Sequence, residues 1–155
     1  MSRLAIPVSS QTLYATGDVK LWVNVVLALR DGAGNFVNTR FFVDSGTEIT
    51  TFPAYEAKQL GLFVPANPAA VRHEQTGLEV RSGMLVFQID GMDQTLYAVS
   101  CLLLGDPNAR PSPNAPKGTL PRNLLQPLAL LEKLNFSTKK EQGGPPYGEL
   151  VIEKK

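Results

Sequence analysis

The chain has very few of the residues that build metal sites and covalent cross-links. Its 155 residues include one cysteine, Cys101, and one histidine, His73. A single cysteine excludes an internal disulfide and a zinc site built on cysteines, and a single histidine argues against a site built on imidazoles. We therefore expect no cofactor and no metal ion. Cys101 lies in an apolar run, where a lone cysteine is typically a small buried hydrophobe.

The chain also lacks an excess of positive or negative charge. Lys and Arg total 15, Asp and Glu total 14, and the formal net charge is +1. A chain this close to neutrality gives no electrostatic reason to expect nucleic acid or an anionic membrane as a partner. No apolar run approaches the roughly 20 residues that a membrane-spanning helix needs, and residues 1–10 lack the apolar core typical of a signal peptide. We expect a soluble, cytoplasmic protein.

What the chain does contain predicts one globular domain over residues 1–155. Hydrophobic residues make up 43% of the sequence, which is enough to build a core at this length. One stretch, residues 105–121, is rich in proline and predicts a loop of unusual length. Too little sequence follows this stretch for it to link two domains, and its role stays open at this stage.

Hydrophobic alternation predicts an all-β fold. Along residues 18–29, apolar side chains recur at every second position, which is typical of a strand. A turn-forming segment at 30–35 and a second strand at 36–43 follow, so a hairpin is expected. The other predicted strands lie at 71–80, 84–89 and 94–104, and in a last hairpin with arms at 136–140 and 149–153.

Two helices interrupt the predicted strands. Residues 53–60 predict a short helix, with Pro53 at its first position and Gly61 just past its end. Residues 122–134 predict a longer helix in the C-terminal half of the chain, because leucines recur there at helical spacing. We expect this leucine stripe to lie in the core; its members are Leu124, Leu125, Leu128, Leu131 and Leu134.

The segment with the clearest chemical character is residues 41–50, Phe-Phe-Val-Asp-Ser-Gly-Thr-Glu-Ile-Thr. An apolar strand here brings Asp44 to the edge of a buried region. Gly46 permits a tight turn, and the hydroxyls of Ser45 and Thr47 can orient a carboxylate. A carboxylate placed in this way is a candidate general acid or base. Glu48 either lines the same site or faces solvent.

Residues 42–47 resemble the hallmark of the retropepsin-type aspartic proteases, which is an apolar strand followed by Asp-Thr/Ser-Gly-Ala/Ser/Thr. Residues 119–125, Thr-Leu-Pro-Arg-Asn-Leu-Leu, resemble the family's apolar-apolar-Gly loop and the helix after it, although Pro121 replaces the family's glycine. Residues 73–80 lie where the family has its substrate-covering flap. The resemblance spans residues 20–136. It implies an all-β, closed, barrel-like acid-protease fold with one helix in the C-terminal half and a short second helix.

The same resemblance implies an aspartic endopeptidase. Its chemistry needs two carboxylates that share one proton and activate a water between them. The chain has one such motif, so the second carboxylate is expected from the second subunit of a homodimer. Asp44 would be the catalytic residue and Ser45 would hydrogen-bond across the dimer axis. Gly46 would give its N–H, and Thr47 its hydroxyl, to the carboxylate.

A peptide or protein substrate would bind in extended form beneath a flap whose tip is Gln75, Thr76 and Gly77. The main alternative is a retropepsin-like domain that has lost catalysis and serves as a dimerisation or peptide-binding module, which Pro121 favours. An acid–base enzyme with a non-peptide substrate is a further alternative. A Ser-His-Asp hydrolase is disfavoured because Ser45 has no identifiable base, and His73 is interpreted as a solvated loop residue.

Overall fold

The computed structural model describes residues 3–12, 19–44, 49–74, 76–110, 124–125, 127–140 and 148–155. This part of the chain consists mainly of strands, with one α-helix, α1 (Ala54–Gln59), and one 3-10 helix (Pro127–Leu130). The predicted all-β class is therefore confirmed. The strands are β1 (Arg3–Pro7), β2 (Ser9–Thr12), β3 (Val19–Trp22), β4 (Asn24–Arg30), β5 (Phe36–Val43), β6 (Thr50–Pro53), β7 (Val80–Ile89), β8 (Tyr97–Leu104), β9 (Leu124–Leu125), β10 (Leu134–Lys140) and β11 (Gly148–Lys154).

The hairpin expected near the N-terminus is formed by β4 and β5. The two strands pair antiparallel along their length, from Asn24 opposite Phe42 to Arg30 opposite Phe36. Its turn is closed by Asp31, because Oδ1 of this residue accepts two backbone N–H groups of the turn, each at 2.9 Å. The predicted strand at 18–29 is interrupted at position 23, and its first part, β3, pairs with β2 instead.

Six strands pair in a closed ring in the order β4–β5–β9–β6–β8–β7, and β7 pairs with β4 again. Two of the neighbouring pairs, β5–β9 and β6–β8, are parallel. The shortest member is β9, whose Leu124 and Leu125 pair with Phe42 and Val43 of β5. Leu124 also lies opposite Thr51 of β6. The ring therefore closes, beside the end of β5, through two residues.

Alternate side chains of the ring strands build the core. On β4, Val25, Leu27 and Leu29 are buried while the residues between them are half-buried, as the sequence alternation predicts. The rings of Phe41 on β5 and Phe52 on β6 are stacked across the β9 position, with centroids 5.8 Å apart. Full burial of such side chains stabilises the fold by about 1.5–3 kcal/mol each.

A second sheet, in the order β1–β11–β10, shares this core. All its pairings are antiparallel. Leu134, Leu150 and Ile152 of this sheet belong to the same hydrophobic cluster as the ring strands. The predicted C-terminal hairpin is confirmed, with arms slightly longer than expected, and the residues that join its arms lie outside the described part of the chain.

The short helix predicted at 53–60 is confirmed as α1. Pro53 is its N-cap residue, and Gly61, just past its end, has a φ of 71° that favours glycine. Ala54 and Ala57 are fully buried on its inner face. The end of α1 contacts the β4–β5 turn so closely that a Cβ on Gly32 would lie 2.2 Å from the carbonyl oxygen of Gly61.

The predicted helix at 122–134 is wrong. The described residues of this segment form β9, the 3-10 helix and a turn that leads into β10. Pro127 explains the difference, because proline lacks an N–H and breaks an α-helix that continues through it, whereas the first position of a helical turn tolerates it.

The leucine stripe is accordingly not one core face. Of its members, Leu125 and Leu134 are buried, whereas Leu128 is 57% exposed and Leu131 is 37% exposed. The side chain of Leu124 lies outside the described part. The helical spacing of these leucines therefore does not correspond to an α-helix in the described residues.

The two strands predicted at 71–80 and 84–89 are also corrected. Strand β7 runs without a break from Val80 to Ile89, and the described residues before it, 71–74 and 76–79, form neither helix nor strand. Gly83, a candidate for the turn, is extended within β7, where a Cβ would lie 2.8 Å from the Leu103 side chain. Close packing against β8 therefore accounts for this glycine, and no turn forms at this position. The strand predicted at 94–104 is confirmed as β8, which begins at Tyr97.

Candidate functional site

Asp44 lies directly after β5, at the point where the ring closes through β9. The residue is half-buried, and its backbone N–H donates a hydrogen bond to the carbonyl oxygen of Leu125 at 3.2 Å. The preceding N–H, that of Val43, donates to the carbonyl oxygen of Val23 at 2.9 Å. These bonds flank Val43, so the backbone that leads into Asp44 is held by two neighbouring segments, at Val23 and Leu125.

The strands on either side of the motif, β5 and β6, are consecutive in the chain but are not neighbours in the sheet. Strand β9 lies between them and pairs with both. Thr50 and Thr51, at the start of β6, are buried at 0% and 3% exposure. The connection between the two strands therefore begins at the half-buried end of β5 and leads into β6, all four residues of which are buried.

The other predicted members of this site lie outside the described residues. They are Ser45, Gly46 and Thr47, together with Glu48 and Pro121. Their roles stay predictions.

The predicted flap is a compact turn. Gln75 lies outside the described residues, but Thr76 and Gly77 are placed. The His73 N–H donates to the Leu78 carbonyl oxygen at 2.9 Å, and the Gly77 N–H donates to the His73 carbonyl oxygen at 2.7 Å. Gly77 has a φ of 68°, a left-handed conformation that glycine adopts at no steric cost.

Side chains reinforce this turn. Thr76 Oγ1 accepts the N–H of Leu78 at 3.3 Å and lies 3.0 Å from Nδ1 of His73. Arg72 Nη1 donates to the Gly77 carbonyl oxygen at 3.1 Å. His73 is, as interpreted, a loop residue, but it is half-buried and its ring is held within the turn by Thr76. These bonds are internal to the turn, and none of them joins the turn to Asp44.

Arg81, at the base of the turn segment, is a buried cation that the sequence reasoning missed. Its side chain is 7% exposed. Nε donates to the Pro65 carbonyl oxygen at 3.0 Å, while Nη1 donates to Glu79 Oε2 at 3.0 Å and to the Gly105 carbonyl oxygen at 3.2 Å. One guanidinium thus ties the chain before the turn segment to the chain after it. The available signal is an arginine in a strand that contains no other charged residue.

The described residues offer neither a metal site nor a reactive thiol. No group of three or more His, Cys, Asp or Glu among them could hold a metal ion. Cys101 is confirmed as buried, at 2% exposure, and burial raises the pKa of its thiol to about 12. A thiol with such a pKa stays protonated at neutral pH and is a poor nucleophile. None of the helices in the described ranges has the length and apolar character to cross a membrane.

Comparison with known proteins adds no family to these observations. No protein-family model, no curated protein and no solved structure matches this chain. The similarity of residues 42–47 to the retropepsin-type proteases stays a prediction, carried by the motif and by the position of Asp44.

Proposed function

We propose that this chain is an aspartic endopeptidase with the closed, barrel-like retropepsin fold, active as a homodimer. The observation that carries the proposal is the placement of Asp44, half-buried at the end of a core strand and held by Leu125. The resemblance expects an apolar pair beneath the catalytic loop. Leu124 and Leu125, which pair with the end of β5, would be this pair. The sequence resemblance instead assigns the apolar-apolar-Gly loop to residues 119–121.

The proposed reaction uses the Asp44 carboxyl groups of two subunits. Two carboxylates about 3 Å apart cannot both ionise, so the pair holds one proton between them. The ionised group takes a proton from a water molecule, which attacks the peptide carbonyl carbon. The protonated group donates its proton to the carbonyl oxygen, which gives a tetrahedral gem-diol. As the C–N bond breaks, the group that took the proton from water passes it to the leaving nitrogen, and the other carboxylate takes a proton from a gem-diol hydroxyl, so the pair again holds one proton.

The neighbouring residues would support this pair. Ser45 would hydrogen-bond to its counterpart across the two-fold axis, the Gly46 N–H would donate to the carboxylate, and Thr47 would donate its hydroxyl to the outer oxygen. The turn at Gln75, Thr76 and Gly77 would cover the substrate. Because Thr76 Oγ1 and both backbone groups of Gly77 are already used within the turn, we assign substrate contact there to the remaining backbone groups of the turn.

The test is cleavage of a diverse peptide mixture from pH 3 to 8, with products identified by mass spectrometry. We expect cleavage by the native chain and none by Asp44→Asn, which removes the titrating carboxyl with little change in shape. Asp90→Asn is the matched control, because Asp90 is an exposed turn residue and its replacement should leave cleavage intact. If the native chain is folded and dimeric but cuts nothing, the protease proposal is wrong and a dimerisation or peptide-binding module becomes the better account.

A further inference from the structure

A pocket of about 400 Å³ lies where α1, residues 62–66, the start of β7 and residues 105–108 meet. Its volume suits a small organic molecule. Part of the lining is apolar and includes Leu62, Val64 and Pro107, and the rest includes Lys58 and Arg81. None of the lining residues belongs to the protease site proposed above, so this pocket is argued independently of it.

Arg81, which lines this pocket, has hydrogen-bond donors that its bonds to the described residues do not use. A guanidinium has five N–H groups. The three bonds to Pro65, Glu79 and Gly105 use Nε and Nη1. The two N–H groups of Nη2 make no hydrogen bond to the described residues, although the side chain is only 7% exposed. A ligand that accepts from Nη2 meets a cation that has already lost most of its water, so little further desolvation opposes binding.

The charges around the pocket favour an anion. Lys58 donates to Oδ1 of Asn108, a neutral partner that leaves the ammonium charge uncompensated. Glu79 balances the charge of Arg81 through one ion pair. Asp106 is next to Pro107 in the chain but is exposed and does not line the pocket, and its Oδ1 accepts the N–H of Asn108 at 2.8 Å. The described lining thus holds two cations and no carboxylate, with one positive charge left after the Glu79 pair.

We propose that this pocket binds a small aliphatic carboxylic acid. Its carboxylate accepts hydrogen bonds from Arg81 Nη2 and Lys58 Nζ, and its hydrocarbon part lies against the apolar side of the pocket, at Leu62 and Val64. A carboxylate suits the site better than phosphate does, because a single negative charge matches the single uncompensated positive charge. Phosphate would also leave the apolar half of the pocket unfilled.

The first test compares three ligands on the full native chain by two-dimensional ¹H–¹⁵N NMR. We expect 4-methylpentanoate to cause saturable shifts confined to residues around Lys58, Arg81 and 105–108. Its neutral isostere, 4-methylpentanamide, should bind about ten-fold more weakly, since it lacks the charge. Equal binding of acid and amide, or no saturable shift with the acid, overturns the proposal. Tighter binding of inorganic phosphate also overturns it, and assigns the pocket to a phosphate group instead.

The second test removes one charge without disturbing the buried bonds of Arg81. Lys58 is exposed, so Lys58→Gln should fold as the native chain does and should weaken binding of the acid about ten-fold. Lys133→Gln, at an exposed lysine outside the pocket, is the matched control and should leave the affinity unchanged. An unchanged affinity in Lys58→Gln, or an equal loss in both variants, contradicts the assignment.

Discussion

Replacing Leu125 with alanine tests the packing that holds the Asp44 segment. Leu125 is 1% exposed, and its carbonyl oxygen accepts the Asp44 N–H. The substitution keeps that backbone bond but empties the core space that the side chain fills. The matched variant is Leu128→Ala, three residues further along, at a side chain that is 57% exposed.

The expected magnitudes differ widely. A leucine-to-alanine change in a closed core costs about 2–5 kcal/mol, because both the transfer free energy and the cavity contribute. We expect about 3 kcal/mol for Leu125→Ala, which at this chain length corresponds to a fall in Tm of about 6–12 °C. An exposed leucine away from special features contributes about 0.5 kcal/mol or less, so Leu128→Ala should be close to native.

The assay is urea denaturation followed by circular dichroism and by the fluorescence of the single tryptophan, Trp22. If residues 122–134 formed the α-helix that their leucine spacing predicts, Leu125 and Leu128 would share one buried face and cost similar amounts. Equal free-energy losses in the two variants would therefore refute the strand and 3-10 arrangement. A larger loss for Leu125 supports it.

Two further predictions concern single groups. The Cys101 thiol, buried and with its pKa raised to about 12, should not react with a thiol reagent at pH 8 in the native chain but should react fully in urea; fast native reaction would contradict the placement of Cys101 in the core. The Asp93 carboxyl has its pKa lowered from 3.8 to about 2 by hydrogen bonds from the Thr95 hydroxyl, the Lys154 ammonium and the Thr95 N–H. Because the folded value lies below the unfolded one, Asp93 stabilises the fold above about pH 4, and this contribution is lost as the pH falls from about 4 to about 2. The urea midpoint of the native chain should therefore fall more steeply over that range than the midpoint of Asp93→Asn, and identical slopes would show that the carboxyl is not held in this way.

The elements that the sequence predicts well are those set by local signals. Alternation along β4 and the turn chemistry of Asp31 specify the first hairpin, since a period of two and an Asx turn need only neighbouring residues. Proline and glycine at the two ends of α1 locate this helix closely.

The elements that the sequence misplaces depend on distant partners. Strand β9 has two residues, too few for any period, and its pairing with β5 joins positions far apart in the chain. The spacing of its leucines consequently predicts a helix, although Pro127 argues against an α-helix through this segment.

The same distinction holds for the candidate site. The motif that begins at Asp44 can be recognised in the sequence because its residues are adjacent. The support from Leu125 and the buried Arg81 depend on tertiary contacts that no short pattern reports.

The most direct test of the central claim is a subunit-mixing experiment. Native chain and Asp44→Asn are unfolded together in varied ratios at constant total concentration, refolded, and assayed for peptide cleavage. If one Asp44 from each subunit is required, activity follows the square of the native fraction, so an equal mixture retains roughly a quarter of the native activity. Activity that falls in direct proportion to the native fraction, or a native chain that never cleaves, contradicts the shared carboxylate pair.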